Sequence, residues 1–66
     1  MLIKMVNYYE EVETTIDNAR IITVKSGKEL NEYGLMLKST HHYYVVSTNI
    51  ENHYFDTKEW FISLKQ

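Results

Sequence analysis

The sequence has no cysteine and no proline, and only two of its 66 residues are glycine. The absence of cysteine excludes disulfides and thiolate metal sites. Sixty-six residues predict a single domain, residues 1–66. Because a domain of this size buries only about 60% of its unfolded surface, we expect it to need a partner, a second copy of itself or unusually good packing.

A long hydrophobic run is also missing. No apolar segment approaches the ~20 residues that a transmembrane helix needs. The first residues lack the basic and then apolar layout of a signal peptide. A hydrophobic content of 44%, with 14% aromatic residues, is still ample for a globular core. These features predict a soluble, cytoplasmic protein without membrane contact.

The sequence also lacks an excess of positive charge. Its net charge at pH 7 is −2, whereas nucleic-acid binders usually present a basic face. The lysines are scattered, but four carboxylates lie close together near the N-terminus: Glu10, Glu11, Glu13 and Asp17. We expect this acidic row to bind a basic surface of another protein. An ordinary solvated helix face is the alternative interpretation.

Residues 2–16 are compatible with two structures. Apolar residues recur there at three- and four-residue steps, which is typical of a helix. Against this, residues 12–16 are rich in strand-forming types, and Asp17 and Asn18 can form a tight turn towards residues 20–25. We predict a helix that ends at Asn18, with a first hairpin over 2–25 as the alternative.

The rest of the chain predicts strands and a final helix. Runs of β-branched and aromatic residues predict four strands, at residues 20–25, 33–38, 41–47 and 53–55. Asp56 is placed to cap a C-terminal helix with Trp60 and Phe61 as core anchors. The predicted fold is a two-layer α+β domain, order α-β-β-β-β-α, in which an antiparallel sheet of three to four strands carries the two terminal helices. The alternative is mostly β, with the first hairpin and a C-terminal helix.

The segment THHYYVVSTN, residues 40–49, places large side chains on both faces of one strand. One interpretation is that a helix covers each face of the sheet. The other is that both helices lie on one face and leave an apolar patch exposed, as association surfaces do. That patch would contain Ile21, Met36 and Tyr43 or Tyr44, and a homodimer could form through it.

Metal binding and catalysis have weaker support. His41, His42 and His53 are the plausible metal ligands, but adjacent strand residues point to opposite faces and zinc needs three or four convergent ligands. We expect strand-end histidines that hydrogen-bond to carboxylates, and neither metal nor cofactor. Ser39 and Ser47 lie near histidines in sequence only, without a nucleophile motif, so we expect no enzyme.

Single-stranded nucleic acid is the alternative ligand. Four aromatic residues could stack unpaired bases on an open sheet, namely Tyr43, Tyr44, Tyr54 and Phe55. Such a platform needs basic neighbours to hold the phosphates, and few are present here.

In general character the chain resembles the small accessory proteins of bacteriophages and mobile elements: it is short, free of cysteine and proline, and rich in Asn, Tyr, Ile and Lys. The resemblance is compositional and covers no specific residues. Such proteins often bind and block one host protein, as anti-CRISPR and other anti-defence inhibitors do. It implies a non-catalytic viral inhibitor or regulator of a host protein in the host cytoplasm. The expected contact residues are Glu10, Glu11, Glu13, Asp17, Ile21, Met36, Tyr43 and Tyr44.

Overall fold

The computed structural model describes residues 1–64 and is mostly β. Within that range the elements are β1 (Ile3–Asn7), β2 (Glu13–Ile16), β3 (Ile21–Ser26), α1 (Gly27–Asn31), β4 (His42–Ser47), β5 (Asn52–Asp56) and β6 (Trp60–Ser63). They form two three-stranded antiparallel sheets, of strand order β2-β1-β6 and β3-β4-β5. No helix in residues 1–64 has the length and apolar character to cross a membrane.

The predicted α-β-β-β-β-α order is therefore wrong, because strands occupy both terminal regions that were expected to be helical. The alternative layout shares the β-rich class, but its hairpin over 2–25 and its C-terminal helix do not form. β3, β4 and β5 coincide with predicted strands. The predicted strand at residues 33–38 is instead turn and irregular backbone, and α1 was not predicted.

The N-terminal region forms a hairpin because its inward side chains alternate. Ile3, Met5 and Asn7 are buried, while the two residues between them are half-buried on the opposite face. β1 pairs with β2 in a register that places Met5 opposite Thr14. Tyr9 and Val12, which complete the helical pattern in the sequence, are exposed. The period-two pattern of β1 and the β-branched residues of β2 outweigh the helical spacing.

The C-terminal region forms a strand because the capping signal at Asp56 also fits a turn. Asp56 Oδ1 accepts the Lys58 N–H at 2.9 Å, as a helix cap would, and the Glu59 N–H donates to the Asp56 carbonyl at 3.0 Å. An Asp side chain that accepts an N–H two residues on is equally characteristic of a tight turn. β6 then pairs with β1, and Phe61 lies opposite Val6. The helix prediction therefore failed because a helix N-cap and a tight turn use the same Asp side-chain hydrogen bond.

The main core lies between the two sheets. It contains Ile3, Met5, Ile16, Ala19, Val46 and Phe55, with Ile22, Tyr44, Trp60 and Ile62 packed against it. The Trp60 ring meets the Phe55 ring at a centroid distance of 5.1 Å. Trp60 thus contributes to the core as expected, whereas Phe61 faces outward on β6 and belongs to neither buried cluster.

A second, smaller core lies on the outer face of the β3-β4-β5 sheet. It contains Leu30, Tyr43 and Val45, with Leu35, Leu37 and Tyr54 at its margin. We call residues 27–41 the cover segment, because α1 and the loop that follows it supply the leucines. β4 therefore has packed side chains on both faces, which accounts for the large groups in THHYYVVSTN. One face of the β3-β4-β5 sheet is covered by α1 and the loop after it, and the other face is covered by the β2-β1-β6 sheet. The interpretation with a helix on each face is therefore wrong.

Specific contacts hold the cover segment against this sheet. Asn31 accepts the Leu37 N–H at 2.7 Å and donates to the Leu37 carbonyl at 2.9 Å. The Tyr43 hydroxyl accepts the Lys38 N–H at 3.0 Å. Gly27 must be glycine, because a Cβ there would overlap the Lys38 carbonyl. Backbone groups of the loop are thereby satisfied by side chains, as burial requires.

Candidate functional site

The outer face of the β2-β1-β6 sheet carries no buried cluster in residues 1–64. Strand pairing places Glu13, Val6 and Phe61 in one row across this face. Thr15, Lys4 and Ser63 form the next row. Val6 and Phe61 are half-buried and lie beyond both cores. We call the face formed by Lys4, Val6, Tyr8, Glu13 and Phe61 the open face.

Aromatic side chains extend the open face past the end of β1. The Tyr8 N–H donates to the Glu59 carbonyl at 2.8 Å, so the residue continues the pairing with the β6 side of the sheet. The Tyr8 ring lies 4.8 Å from the Phe61 ring and 6.4 Å from the Tyr9 ring, between centroids. Tyr9 is 77% exposed. Solvent-facing aromatic clusters of this kind are typical of the centres of protein interfaces.

The turn between β1 and β2 is held by a buried side chain. Asn7 accepts the N–H groups of Tyr9 and Glu10 at 2.9 and 3.0 Å. Its own N–H donates to the Val12 carbonyl at 2.9 Å. Glu11 has a φ of 54°, a left-handed conformation that non-glycine residues rarely adopt. The backbone positions of Tyr9, Glu10 and Glu11 are therefore fixed by the fold, while their side chains are exposed.

The predicted acidic row is divided by the structure. Glu10 and Glu11 are exposed in the β1–β2 turn, and Glu13 begins β2, where its Oε2 lies 3.8 Å from Lys4 Nζ. Asp17 follows the other end of β2, roughly 13 Å from Glu13 along the strand. The three glutamates therefore adjoin the open face, whereas Asp17 does not. No helix face unites the four residues.

The predicted apolar contact residues do not form one exposed patch. Ile21 is exposed on β3, and Met36 is 98% exposed in the cover segment. Tyr43 is only 6% exposed, and Tyr44 packs against the main core from the opposite face of β4. The two tyrosines therefore do not form the exposed patch expected of them. The exposed sheet face belongs to the other sheet.

The aromatic platform proposed for nucleic acid has the same difficulty. Phe55, like Tyr43, is buried, and Tyr54 is half-buried at the margin of the second core. These rings are occupied by packing and do not form a continuous stacking surface.

Sequence reasoning missed Val6, Tyr8, Tyr9 and Phe61. The helical interpretation assigned Val6 and Tyr9 to a buried stripe and placed Phe61 in the C-terminal helix. The signal that could have found the open face is the alternation of β1, since a strand places Lys4, Val6 and Tyr8 on one side.

Two of the histidines contact carboxylates. His41 Nδ1 lies 2.6 Å from Asp56 Oδ2, and His53 Nε2 lies 3.2 Å from Glu51 Oε1. Burial would raise the pKa of Asp56, but hydrogen bonds from His41 and the Lys58 N–H outweigh it and hold that pKa below its usual value. The His41–Asp56 bond joins the end of the cover segment to the β5–β6 turn. This is a structural role.

Neither a metal site nor a serine nucleophile is assembled in the part of the chain that the structure describes. No three His, Asp or Glu side chains converge there in a way that could hold a metal ion. Neither Ser39 nor Ser47 hydrogen-bonds to a histidine in residues 1–64, so the His41–Asp56 pair does not orient a serine nucleophile.

Comparisons with protein-family models, with curated proteins and with solved structures find no match to this chain. The open face and its surroundings are therefore the basis for inferring a function.

Proposed function

We propose that the protein is a non-catalytic protein-binding module that presents the open face to its partner. The observation that carries this proposal is a sheet face with an aromatic cluster, Tyr8, Tyr9 and Phe61, that no part of residues 1–64 packs over. The composition supports a role as an inhibitor or regulator of a host protein, of the phage-accessory kind.

Burial of the open face by a partner would be favourable in free energy. Full burial of one aromatic side chain contributes roughly 1.5–3 kcal/mol. Val6 and Phe61 are half-buried, and Tyr8 and Tyr9 are largely exposed, so a partner seated on the face would remove substantial apolar area from water. Because the strands and the Asn7 side chain already order the backbone that carries these groups, binding costs side-chain entropy but little backbone entropy.

The test compares two variants in capture from nuclease-treated lysate, with bound proteins identified by mass spectrometry. Tyr8→Ser/Phe61→Thr removes two of the three rings of the aromatic cluster and leaves only Tyr9. Val24→Thr is the matched control, because it replaces an exposed apolar side chain on an edge strand of the other sheet and Val24 is in no predicted interface. We expect a stoichiometric partner that the wild type and the control capture and the double variant loses.

Equal capture by all three proteins would show that the open face is not the interface. Sedimentation of the wild type and the double variant tests whether a second copy of the chain, and not another protein, binds the open face. A dimer that the double variant disrupts would replace the heterologous partner with a second copy of the chain.

A further inference from the structure

Resting on the proposed function, we infer that the partner segment received by the open face carries arginine. Its guanidinium would stack on the exposed ring of Tyr9 and pair with the carboxylates of Glu10 and Glu11.

The charge around the aromatic cluster is negative. Four glutamates lie at that end of the sheet, Glu10, Glu11, Glu13 and Glu59, against two lysines, Lys4 and Lys58. Lys4 is paired with Glu13. In residues 1–64 no ion pair involves Glu10 or Glu11. A cationic group that reaches the rings would therefore meet carboxylates without partners, while a phosphate would be repelled.

The tyrosine rings can also attract a cation, in addition to the carboxylates. The Tyr8 and Tyr9 planes are inclined at 64°, so they form a corner on the surface rather than a parallel stack. A cation over the face of a tyrosine is attracted by the ring quadrupole within about 6 Å of the centroid. Glu10 and Glu11 follow Tyr9 directly in a turn whose conformation Asn7 fixes.

Arginine fits this arrangement better than lysine. Its guanidinium is planar, stacks on aromatic faces, bonds a carboxylate through two parallel N–H groups and is weakly hydrated. The lysine ammonium is a strongly hydrated point charge and loses more hydration on entering an apolar corner. The surface therefore predicts a preference between two residues of equal charge.

The experiment uses three synthetic peptides that differ at one residue type. Each alternates threonine and valine with a variable position, occupied by arginine, by lysine or by the uncharged isostere citrulline. Binding is measured by fluorescence anisotropy at low ionic strength, where surface charges are least screened. We expect the arginine peptide to bind most tightly, the lysine peptide more weakly and the citrulline peptide not at all.

Two protein variants localise the interaction. Tyr9→Leu keeps an apolar side chain but removes the ring, and it should weaken the arginine peptide roughly two- to fivefold. Glu10→Gln/Glu11→Gln should weaken it roughly two- to tenfold, since two exposed charge contacts are lost. Glu32→Gln, an exposed glutamate at the end of α1, is the matched control and should bind as the wild type does.

Equal affinity for the arginine and citrulline peptides, or no binding of the arginine peptide, would overturn the inference. A natural partner that is lost with Tyr8→Ser/Phe61→Thr but retained by Glu10→Gln/Glu11→Gln would also overturn it, while the proposed function would stand. Circular dichroism of each variant confirms that the exposed substitutions leave the fold intact.

Discussion

The two sheets of this protein differ in what lies on their outer faces. The outer face of β3-β4-β5 is packed beneath the cover segment, where Leu30 and Leu37 lie over Tyr43 and Val45. The outer face of β2-β1-β6 has Val6 on its central strand and Phe61 on the neighbouring edge strand, with no cover in residues 1–64. The same kind of surface is thus core on one sheet and accessible on the other.

The comparison shows how a short chain distributes its few connecting residues. The cover segment is the longest connection between strands, and it shields one sheet only. Within residues 1–64, the turns on either side of β2 and the turn before β6 are too short to shield the other sheet. Apolar groups on the open face are therefore not covered by the described part of the chain.

The largest expected effect comes from breaking the cover. Leu30→Ala removes a fully packed side chain from the second core and should lower the free energy of unfolding by roughly 2–5 kcal/mol. Val6→Ala on the open face should cost less than about 1 kcal/mol, because the side chain is only half-buried. Urea denaturation of the two variants measures the difference. Similar losses would mean that the open face is packed as tightly as the covered one.

A smaller effect should come from the bond that fastens the end of the cover segment. Asp56 is 7% exposed, and its carboxylate accepts from His41 and from the Lys58 N–H. Asp56→Asn keeps the size of the side chain and an acceptor for Lys58 but loses the charge. We expect it to lower the free energy of unfolding by about 1–3 kcal/mol near neutral pH.

The His41–Asp56 bond also predicts how the free energy of unfolding changes with pH. The folded state holds the pKa of Asp56 below its unfolded value of about 3.9, so the stabilisation is complete above that pH and is lost as the pH falls through the folded pKa. As the pH falls below about 4, the wild type should therefore lose more stability than Asp56→Asn. Urea titrations at several acidic pH values measure this. Parallel curves for the two proteins would show that Asp56 contributes no such linkage.

The strands of the covered sheet could be predicted from the sequence because they contain runs of β-branched and aromatic residues. β4 carries Tyr43, Tyr44, Val45 and Val46 in succession, and a strand of that kind must be packed on both faces. The run therefore identified the centre of the covered sheet, although not the identity of its cover. Residues 33–38 resemble a strand in composition, but Leu35 and Leu37 serve as the underside of a loop that Asn31 holds.

The open sheet was harder to predict because its local signals are shared by two structures. β1 alternates as a strand does, yet its apolar residues also fall at helical steps. Asp56 accepts an N–H in a turn as it would in a cap. What decides both cases is the long-range pairing of β1 with β6, residues about 55 positions apart, which no local pattern contains. The aromatic cluster of the open face depends on that pairing and was missed with it.

The smallest expected effect concerns the turn beside the open face and has the opposite sign. Glu11 has a φ of 54°, which costs a non-glycine residue roughly 1–2 kcal/mol. Glu11→Gly removes that cost, less the entropy that glycine adds to the unfolded chain, and should raise stability by up to about 1 kcal/mol. Glu10→Gly, at a neighbouring position without a positive φ, is the control and should lower stability by a similar amount. Thermal unfolding compares them, and destabilisation by both substitutions would mean that the Glu11 conformation carries no strain.

Stability and binding should change in opposite directions at Glu11, which distinguishes the open face from the covered one. If the Glu11 carboxylate pairs with a guanidinium, Glu11→Gly should weaken the arginine peptide while it stabilises the free protein. A residue retained at a cost to stability for the sake of a contact is expected at a binding surface and not within a structural cover. In the cover segment, where Leu30 and Asn31 act only through packing and internal hydrogen bonds, substitutions should change stability and leave peptide affinity per folded molecule unchanged.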